Sequence, residues 1–357
     1  MSNGIQYITD FHAYQWSEFS KPLKDPYLFN TRVKSQTEAI HNILDKASEK
    51  GFLHVNGGDL FHERVKVDSR IFYNMYKEYY SHPDVPCFIL RGNHDSYNND
   101  MGSPSSIDTL GFLPNVTVVS TPSTFEVEVQ GKKVNLYFMP YGENVDEMKD
   151  TLHKFGDQAK EDEHAILIAH IGIDGAVQGK HSHRLASAFS LDDLCPDSYD
   201  VVLLGHYHKR QYLGGRKDVF YGGSTIPLTF NDEGEAKGYD MLSYEGNKLK
   251  DSFVEVPSPK FLTLNTVEDN DDLIKNNFVR LQVSESDSNR EMASVSKDDN
   301  VRVEIKPEVK DTNRLKLTEK DSDSPQAITN KFIEQYVDTD DKELAKLASE
   351  TLEEVTK

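Results

Sequence analysis

The chain has 357 residues, 37% hydrophobic and 28% charged, with a net charge of −20. That is more than one compact domain usually needs and enough apolar residue for a sizeable core; the acidity argues against a general nucleic-acid binder, which is usually basic. Two cysteines, Cys87 and Cys195, exclude a disulfide framework and fit a reducing compartment. The start, MSNGIQYITDF, lacks the basic and apolar runs of a signal peptide, and no window approaches 18 uncharged apolar residues, so a cytoplasmic protein that spans no membrane is expected.

Residues 5–9 (IQYIT) predict a first strand, with Asp10 and His12 directly after it. Residues 32–50 have helical composition and stop at Gly51, a C-cap residue. Residues 52–56 predict a second strand, ending in GGD, and 69–80 a helix closed by the turn HPDVP. Residues 85–90 predict a third strand that runs into GNHD. Two further apolar runs, 165–169 (AILIA) and 201–204 (VVLL), each lead to a histidine. Period-two segments at 124–129, 134–139, 219–221 and 239–244 predict strands of hairpins.

Strand, polar loop and helix in alternation predict a layered α/β domain over roughly the first 260 residues. Ligands of such sheets bind beyond the carboxyl ends of the strands, where the polar clusters fall. After Pro259, residues 261–266, 278–283 and 301–305 alternate like strands between acidic loops, predicting a small second domain to residue 317. Residues 318–325 (TEKDSDSP) read as a linker. Two amphipathic helices follow in 326–357, one carrying Ile328, Phe332, Ile333, Tyr336 and Val337 on a face, the other Leu344, Leu347, Ala348, Thr351, Leu352 and Val355. Helices this short need a surface to dock on, in their own domain or in a partner.

The strand ends carry D-x-H at Asp10 and His12, G-D-L-F-H from Gly58 to His62, G-N-H-D from Gly92 to Asp95, Ala169-His170, and G-H-Y-H from Gly205 to His208. Carboxylate, imidazole and amide oxygen suit manganese, iron, zinc or magnesium, and neither cysteine takes part. One aspartate with two oxygens can bridge two metals about 3.5–4 Å apart. Glycine ahead of a ligand lets the backbone turn sharply or approach closely. In GNHD, Asn93 can lend its oxygen to a metal and His94 can face a substrate as an acid. Asp95 can orient the His94 ring or cap a following helix. A lone histidine at a loop start is most often structural; five clusters, each after an apolar run, point instead to a metal centre.

In this order, D-x-H, G-D, G-N-H-D, a lone histidine and G-H-x-H resemble the calcineurin-like metallophosphoesterases. G-D-L-F-H, the YGGSTIP stretch at Tyr221 to Pro227 and the KGY at Lys237 to Tyr239 look like the SbcD-type nuclease subunit of double-strand-break repair. The resemblance implies a four-layer αββα sandwich over 1–260, a small α+β capping domain over 261–317, and a C-terminal helical segment, 326–357, that binds an SbcC-type coiled-coil ABC ATPase. It also implies two divalent metals, manganese by preference with magnesium an option. Asp10, His12 and His208 would hold one, Asn93, His170 and His206 the other, and Asp59 would be shared. His94 would protonate the leaving oxygen or position the substrate, with His62 near the scissile phosphate. The motifs cover about residues 5–240; beyond them the likeness is one of architecture.

This chain departs from the family after D-x-H, where Leu-Gly is frequent and Ala13-Tyr14-Gln15-Trp16 stands here. Ala169 replaces the frequent glycine before His170. Arg91 before GNHD is similar to phosphoprotein phosphatases, but the arginine they place four residues after the aspartate is Glu63 here. The reading is a metal-dependent DNA exonuclease or endonuclease of repair, recombination or replication. It would act as a homodimer with its ATPase, in a host cytoplasm if bacteriophage-encoded. A phosphatase with the same metals is the alternative, and a non-catalytic scaffold would be expected to have lost ligands. His181 and His183, with Arg64, Lys66, Lys180, Arg184, Lys209 and Arg210, are expected on solvated surface. Trp16 and Tyr73, Tyr76, Tyr79 and Tyr80 are expected in the core.

Overall fold

Strands covered on both faces read as unbroken apolar runs, because no face needs to meet water. The strand runs CFIL, AILIA and VVLL of this molecule are built that way, whereas IQYI and LHVN bury Gln6 and His54 against each other, with His54 Nδ1 2.8 Å from Gln6 Oε1. In chain order the elements begin with β1 (Ile5–Ile8), α1 (Thr31–Lys50), β2 (Leu53–Asn56), α2 (Ser69–Ser81), β3 (Cys87–Leu90) and β4 (Val116–Val119). Next come β5 (Ser123–Val129), β6 (Lys132–Met139), α3 (Val145–Ala159), β7 (Ala165–His170), β8 (Val201–Gly205), β9 (Gln211–Tyr212) and β10 (Val219–Tyr221). The rest are β11 (Gly238–Glu245), β12 (Lys248–Glu255), β13 (Phe261–Leu264), α4 (Asp271–Asn276), β14 (Phe278–Val283), α5 (Ser288–Ser294) and β15 (Val301–Ile305). The computed structural model describes residues 2–177, 189–295, 297–306, 327–329, 331–332 and 351. Lys180, His181, His183, Arg184, the linker and most of the C-terminal segment lie outside these. The chain divides into two units, Met1–Ile305 and Lys306–Lys357, and every element named belongs to the first.

Two six-stranded sheets form the body, in the orders β12-β11-β1-β2-β3-β4 and β5-β6-β7-β8-β10-β9. β1, β2, β3 and β4 run parallel, as do β6, β7, β8 and β10. The inner faces meet in one core, where Tyr7, Val55 and Leu90 pack with Leu136, Phe138, Ile168 and Phe220. α1 and α2 cover the outer face of the first sheet through Ile40, Ile43, Leu44, Met75 and Tyr79. α3 covers the second sheet through Met148, Leu152 and Phe155. Helix, sheet, sheet and helix make the four expected layers.

α1 starts at Asn30, whose side chain accepts from the Val33 N–H at 2.8 Å, and ends at Gly51 in the left-handed conformation (φ 64°). β13, β14 and β15 form a separate three-stranded parallel sheet. It meets the body through Phe261, whose ring lies 4.8 Å from that of Phe230, and through Arg32, whose guanidinium lies 4.8 Å from the Phe278 ring. Among the described residues no helix is long and apolar enough to cross a membrane.

The tyrosines of α2 divide rather than all entering the core. Tyr79 is fully buried, whereas Tyr73 and Tyr80 are exposed and Tyr73 stacks on Tyr27 with ring centroids 4.2 Å apart. The helix has one buried stripe, and these two positions fall off it. With β4, β9, β12, α4 and α5, α3 is among the elements the sequence pattern did not mark. Its charged residues and Gly156 blur the apolar stripe that Met148, Leu152 and Phe155 supply.

Candidate metal centre

β1, β2, β3, β7 and β8 all end at one edge of the double sheet, and the polar clusters meet there. Asp10, His12, Asp59 and His170 are at most 1% exposed, and Asn93 is 8% exposed. The loops reach this geometry through backbone that side-chain-bearing residues rarely adopt: φ is 51° at Asp10 and His12, 56° at Asp59 and 105° at His206. Hydrogen bonds between loops hold it. The N–H of Asp10 donates to Gly58 O at 2.9 Å, that of His12 to Asp59 O at 3.0 Å, and that of Ala13 to Leu60 O at 2.8 Å. Two glycines are required by close approach. A Cβ on Gly92 would stand 2.1 Å from Asp59 Oδ1, and one on Gly58 would stand 2.3 Å from His170 Nδ1.

The donor atoms fall into two groups around Asp59. On one side His12 Nε2 lies 3.1 Å from His208 Nε2, 3.9 Å from Asp10 Oδ1 and 3.7 Å from Asp59 Oδ2. On the other side His170 Nε2 lies 3.3 Å from the same Asp59 Oδ2 and 3.2 Å from Asn93 Oδ1, and His206 Nδ1 is 3.0 Å from Asn93 Oδ1. Asp10 also accepts from the His206 N–H at 3.0 Å and from Thr9 Oγ1 at 2.8 Å. His170 Nδ1 contacts Gly57 O at 2.8 Å, which fixes a proton there and turns Nε2 toward two oxygens.

This donor set fits divalent cations. Among the described residues no lysine or arginine pairs with the buried carboxylates of Asp10 or Asp59, so imidazole is their only cationic partner. Burial would raise the Asp59 carboxyl, but His170 and His12 hold it well below the usual carboxylate range. Burial would lower His170, and Asp59 raises it instead. Where a carboxylate weighs less, burial wins: His12 is pushed far down, and His62 and His206 to about 4. Low proton affinity keeps such nitrogens available to a metal.

Around these groups the sequence reading is met in part. His94 donates its N–H to Asp59 Oδ1 at 2.7 Å, and its ring lies 4.8 Å from that of His12. His62 joins the same group, with its Nδ1 3.3 Å from His12 Nδ1. Asp95 needs a correction: it neither orients the His94 ring nor caps a helix. Its carboxylate accepts the N–H groups of Asp59 (2.8 Å), Phe61 (3.0 Å) and Gly92 (3.1 Å), tying the second and third loops together. The His94 ring is held instead by the His62 carbonyl, 2.6 Å from Nδ1. Arg210 is likewise not free for phosphate, since it pairs with Asp240 at 2.6 Å and Asp251 at 3.1 Å. Arg91 is fully buried and donates to the carbonyls of Tyr141 (2.6 Å) and Asp100 (2.8 Å).

Three contributions lay beyond the sequence reading. Tyr141 stacks on His206 with centroids 5.8 Å apart; it follows the end of β6, a strand end that carries no histidine. Tyr14 and Trp16 flank His62 at 5.0 and 4.7 Å, so the half-buried Trp16, packed against the core as expected, also borders the site. The KGY and YGGSTIP stretches support the last ligand loop: Lys237 Nζ and the Ser224 N–H both donate to His208 O, at 2.6 and 2.9 Å.

A solved structure described as a hypothetical protein from Thermus thermophilus is similar to this chain at 13% identity. The match covers 71% of this chain and 99% of the other, with a TM-score of 0.40. Compared with known families, residues 5–210 match the calcineurin-like phosphoesterases, a span that contains all five clusters. By that match over more than half its length, the chain belongs to the calcineurin-like phosphoesterase family, hydrolases that bind divalent metals.

Proposed function

We propose that this chain is a metal-dependent DNA nuclease of the SbcD type, hydrolysing phosphodiester bonds. The observation that carries this is Asp59: one buried carboxylate with the same oxygen 3.7 Å from His12 and 3.3 Å from His170, between two groups of donor atoms. Two divalent ions, manganese by preference, held by Asp10, His12 and His208 and by Asn93, His170 and His206 with Asp59 shared, would neutralise phosphate charge and acidify a water. The chain's own residues supply the rest. His94, anchored at Nδ1 by the His62 carbonyl, presents Nε2 as the atom that protonates the leaving 3′ oxygen. His62, between Tyr14 and Trp16, sits beside the scissile phosphate and shapes the approach to it.

The phosphatase alternative lacks a phosphate clamp. Glu63 occupies the clamp position and accepts from Tyr14 Oη at 3.3 Å, while Arg91 is committed to carbonyls. Contacts to DNA run mainly to its backbone, so cleavage has little sequence preference. An SbcC-type ATPase, bound through 326–357, supplies the positive surface that a chain of net charge −20 lacks, and the nuclease works as a homodimer. Digestion of labelled single- and double-stranded DNA with manganese, with and without the ATPase, tests this. Cleavage that the ATPase enhances on duplex is expected, and His94→Ala should keep its metals and lose cleavage. High turnover of phosphomonoesters with none of DNA would overturn the nuclease reading.

A further inference from the structure

A second meeting of imidazole and carboxylate lies away from the sheet edge, on the seam between α1 and α2. His41 and Asp45 stand four residues apart on α1, so they share a face. Glu78 lies in the last turn of α2, and His82 is its C-cap residue. His82 Nδ1 contacts the Glu78 carbonyl at 2.7 Å and Nε2 lies 3.0 Å from Asp45 Oδ1. His41 Nδ1 contacts Glu78 Oε2 at 2.8 Å and Nε2 lies 3.3 Å from Asp45 Oδ2.

Both rings therefore have the same arrangement: Nδ1 on an oxygen acceptor, Nε2 on the Asp45 carboxylate. A neutral imidazole has one proton to give. Spent at Nδ1, it leaves the Nε2 lone pair facing a carboxylate oxygen, an approach that a cation between them makes favourable. His170 shows the same signature at the sheet edge, with Nδ1 on Gly57 O and Nε2 toward Asp59. Metal-bound histidines commonly hold their other N–H on a carbonyl or carboxylate, and here Glu78 supplies both, one to each ring. Glu78 and His82 are 8% and 7% exposed in their side chains, a fixed inner wall; His41 and Asp45 are 49% and 59% exposed and open to solvent.

We propose that His41 Nε2, His82 Nε2 and the Asp45 carboxylate form a metal site of their own for a zinc-class divalent ion, with Glu78 orienting His41. Two nitrogens and one carboxylate suit zinc better than magnesium or calcium, which take oxygen ligands. The bound ion would clasp the C-terminal half of α1 to the C-terminal end of α2.

The test is zinc stoichiometry on the full-length protein. Chelator-stripped wild type, His41→Ala and Asp45→Asn are titrated with zinc alone in a calorimeter, and retained metal is counted after gel filtration. The two substitutions sit at exposed positions, so the sheet-edge sites serve as an internal count. One equivalent fewer in each variant, together with a smaller zinc-induced rise in thermal midpoint, is expected. Equal stoichiometry in all three proteins would overturn the proposal and leave the histidines as hydrogen-bond partners of Asp45 alone.

Discussion

Both clusters join histidine to carboxylate, with Asp59 buried in one and Asp45 open to solvent in the other, and their backbones differ as well. At the sheet edge four residues hold positive φ, a conformation that costs on the order of 1–3 kcal/mol for each non-glycine residue. Backbone hydrogen bonds from neighbouring loops and a buried position stabilise it. At the α1–α2 seam the side chains converge from ordinary helical turns, and His82 has a φ of −118°. Convergence there follows from i,i+4 spacing and helix packing alone. The contrast teaches that proximity of ligand types is cheap on helices. Proximity maintained against strain and desolvation is what marks the sheet edge as the catalytic place.

The largest expected effect breaks the sheet edge at its shared atom. Asp59→Asn keeps the size of the side chain but replaces a carboxylate oxygen that faces His12 and His170, so both donor groups lose their common partner. Phosphodiester hydrolysis should fall by more than the about 10²–10⁴-fold that loss of a general acid brings, with loss of bound metal measured alongside. His94→Ala should cost about 10²–10⁴-fold and leave metal content unchanged, because its Nδ1 is committed to the His62 carbonyl and its part is that of the acid. If His94→Ala empties the site of metal, His94 is a ligand and the general-acid assignment is wrong.

The same contrast explains what could be read in the sequence. Strand runs such as AILIA and VVLL, ended by histidine, were legible because burial on both faces removes alternation. That the loop histidines and carboxylates gather at one sheet edge was legible because such loops need particular residues, Gly58 for its positive φ and Gly92 for its close approach to Asp59. α3 was not legible, since its apolar stripe is three residues wide in a charged helix. Neither was the role of Asp95, whose partners are backbone N–H groups from the loops around it and carry no side-chain signature. The His41–His82 pairing depends on the packing of two helices from separate stretches of the chain, and i,i+4 His–Asp pairs are ordinary on helix surfaces.

Asp95 gives the next largest effect and tests whether loop strain is held in place as described. Asp95→Ala would leave three buried N–H groups, those of Asp59, Phe61 and Gly92, without acceptors. An unsatisfied buried donor costs about 1–3 kcal/mol, so denaturant midpoints should fall clearly. Metal affinity should weaken by about 10–100-fold, as it does when a supporting group behind a ligand is lost. Loss of stability without loss of metal affinity would mean that the loops keep their shape unaided, and the strain argument would lose its basis.

The smallest effect isolates burial from charge. His54 in β2 is fully buried with no carboxylate beside it; its Nδ1 lies 2.8 Å from Gln6 Oε1. Burial pushes its pKa down to about 3, the opposite of the direction Asp59 imposes on His170. Below about pH 6.5 the unfolded chain takes up a proton that folded His54 refuses, so stability is lost as pH falls, until the folded ring titrates near 3. At pH 5 the loss from this one ring should be about 2 kcal/mol. His54→Leu removes it along with a hydrogen bond whose cost does not depend on pH. The stability difference between wild type and variant, measured by urea unfolding at pH 7 and pH 5, should therefore shift by that amount in favour of the variant. Parallel curves would mean that His54 takes a proton inside the fold, and that burial alone does not keep a histidine neutral in this core.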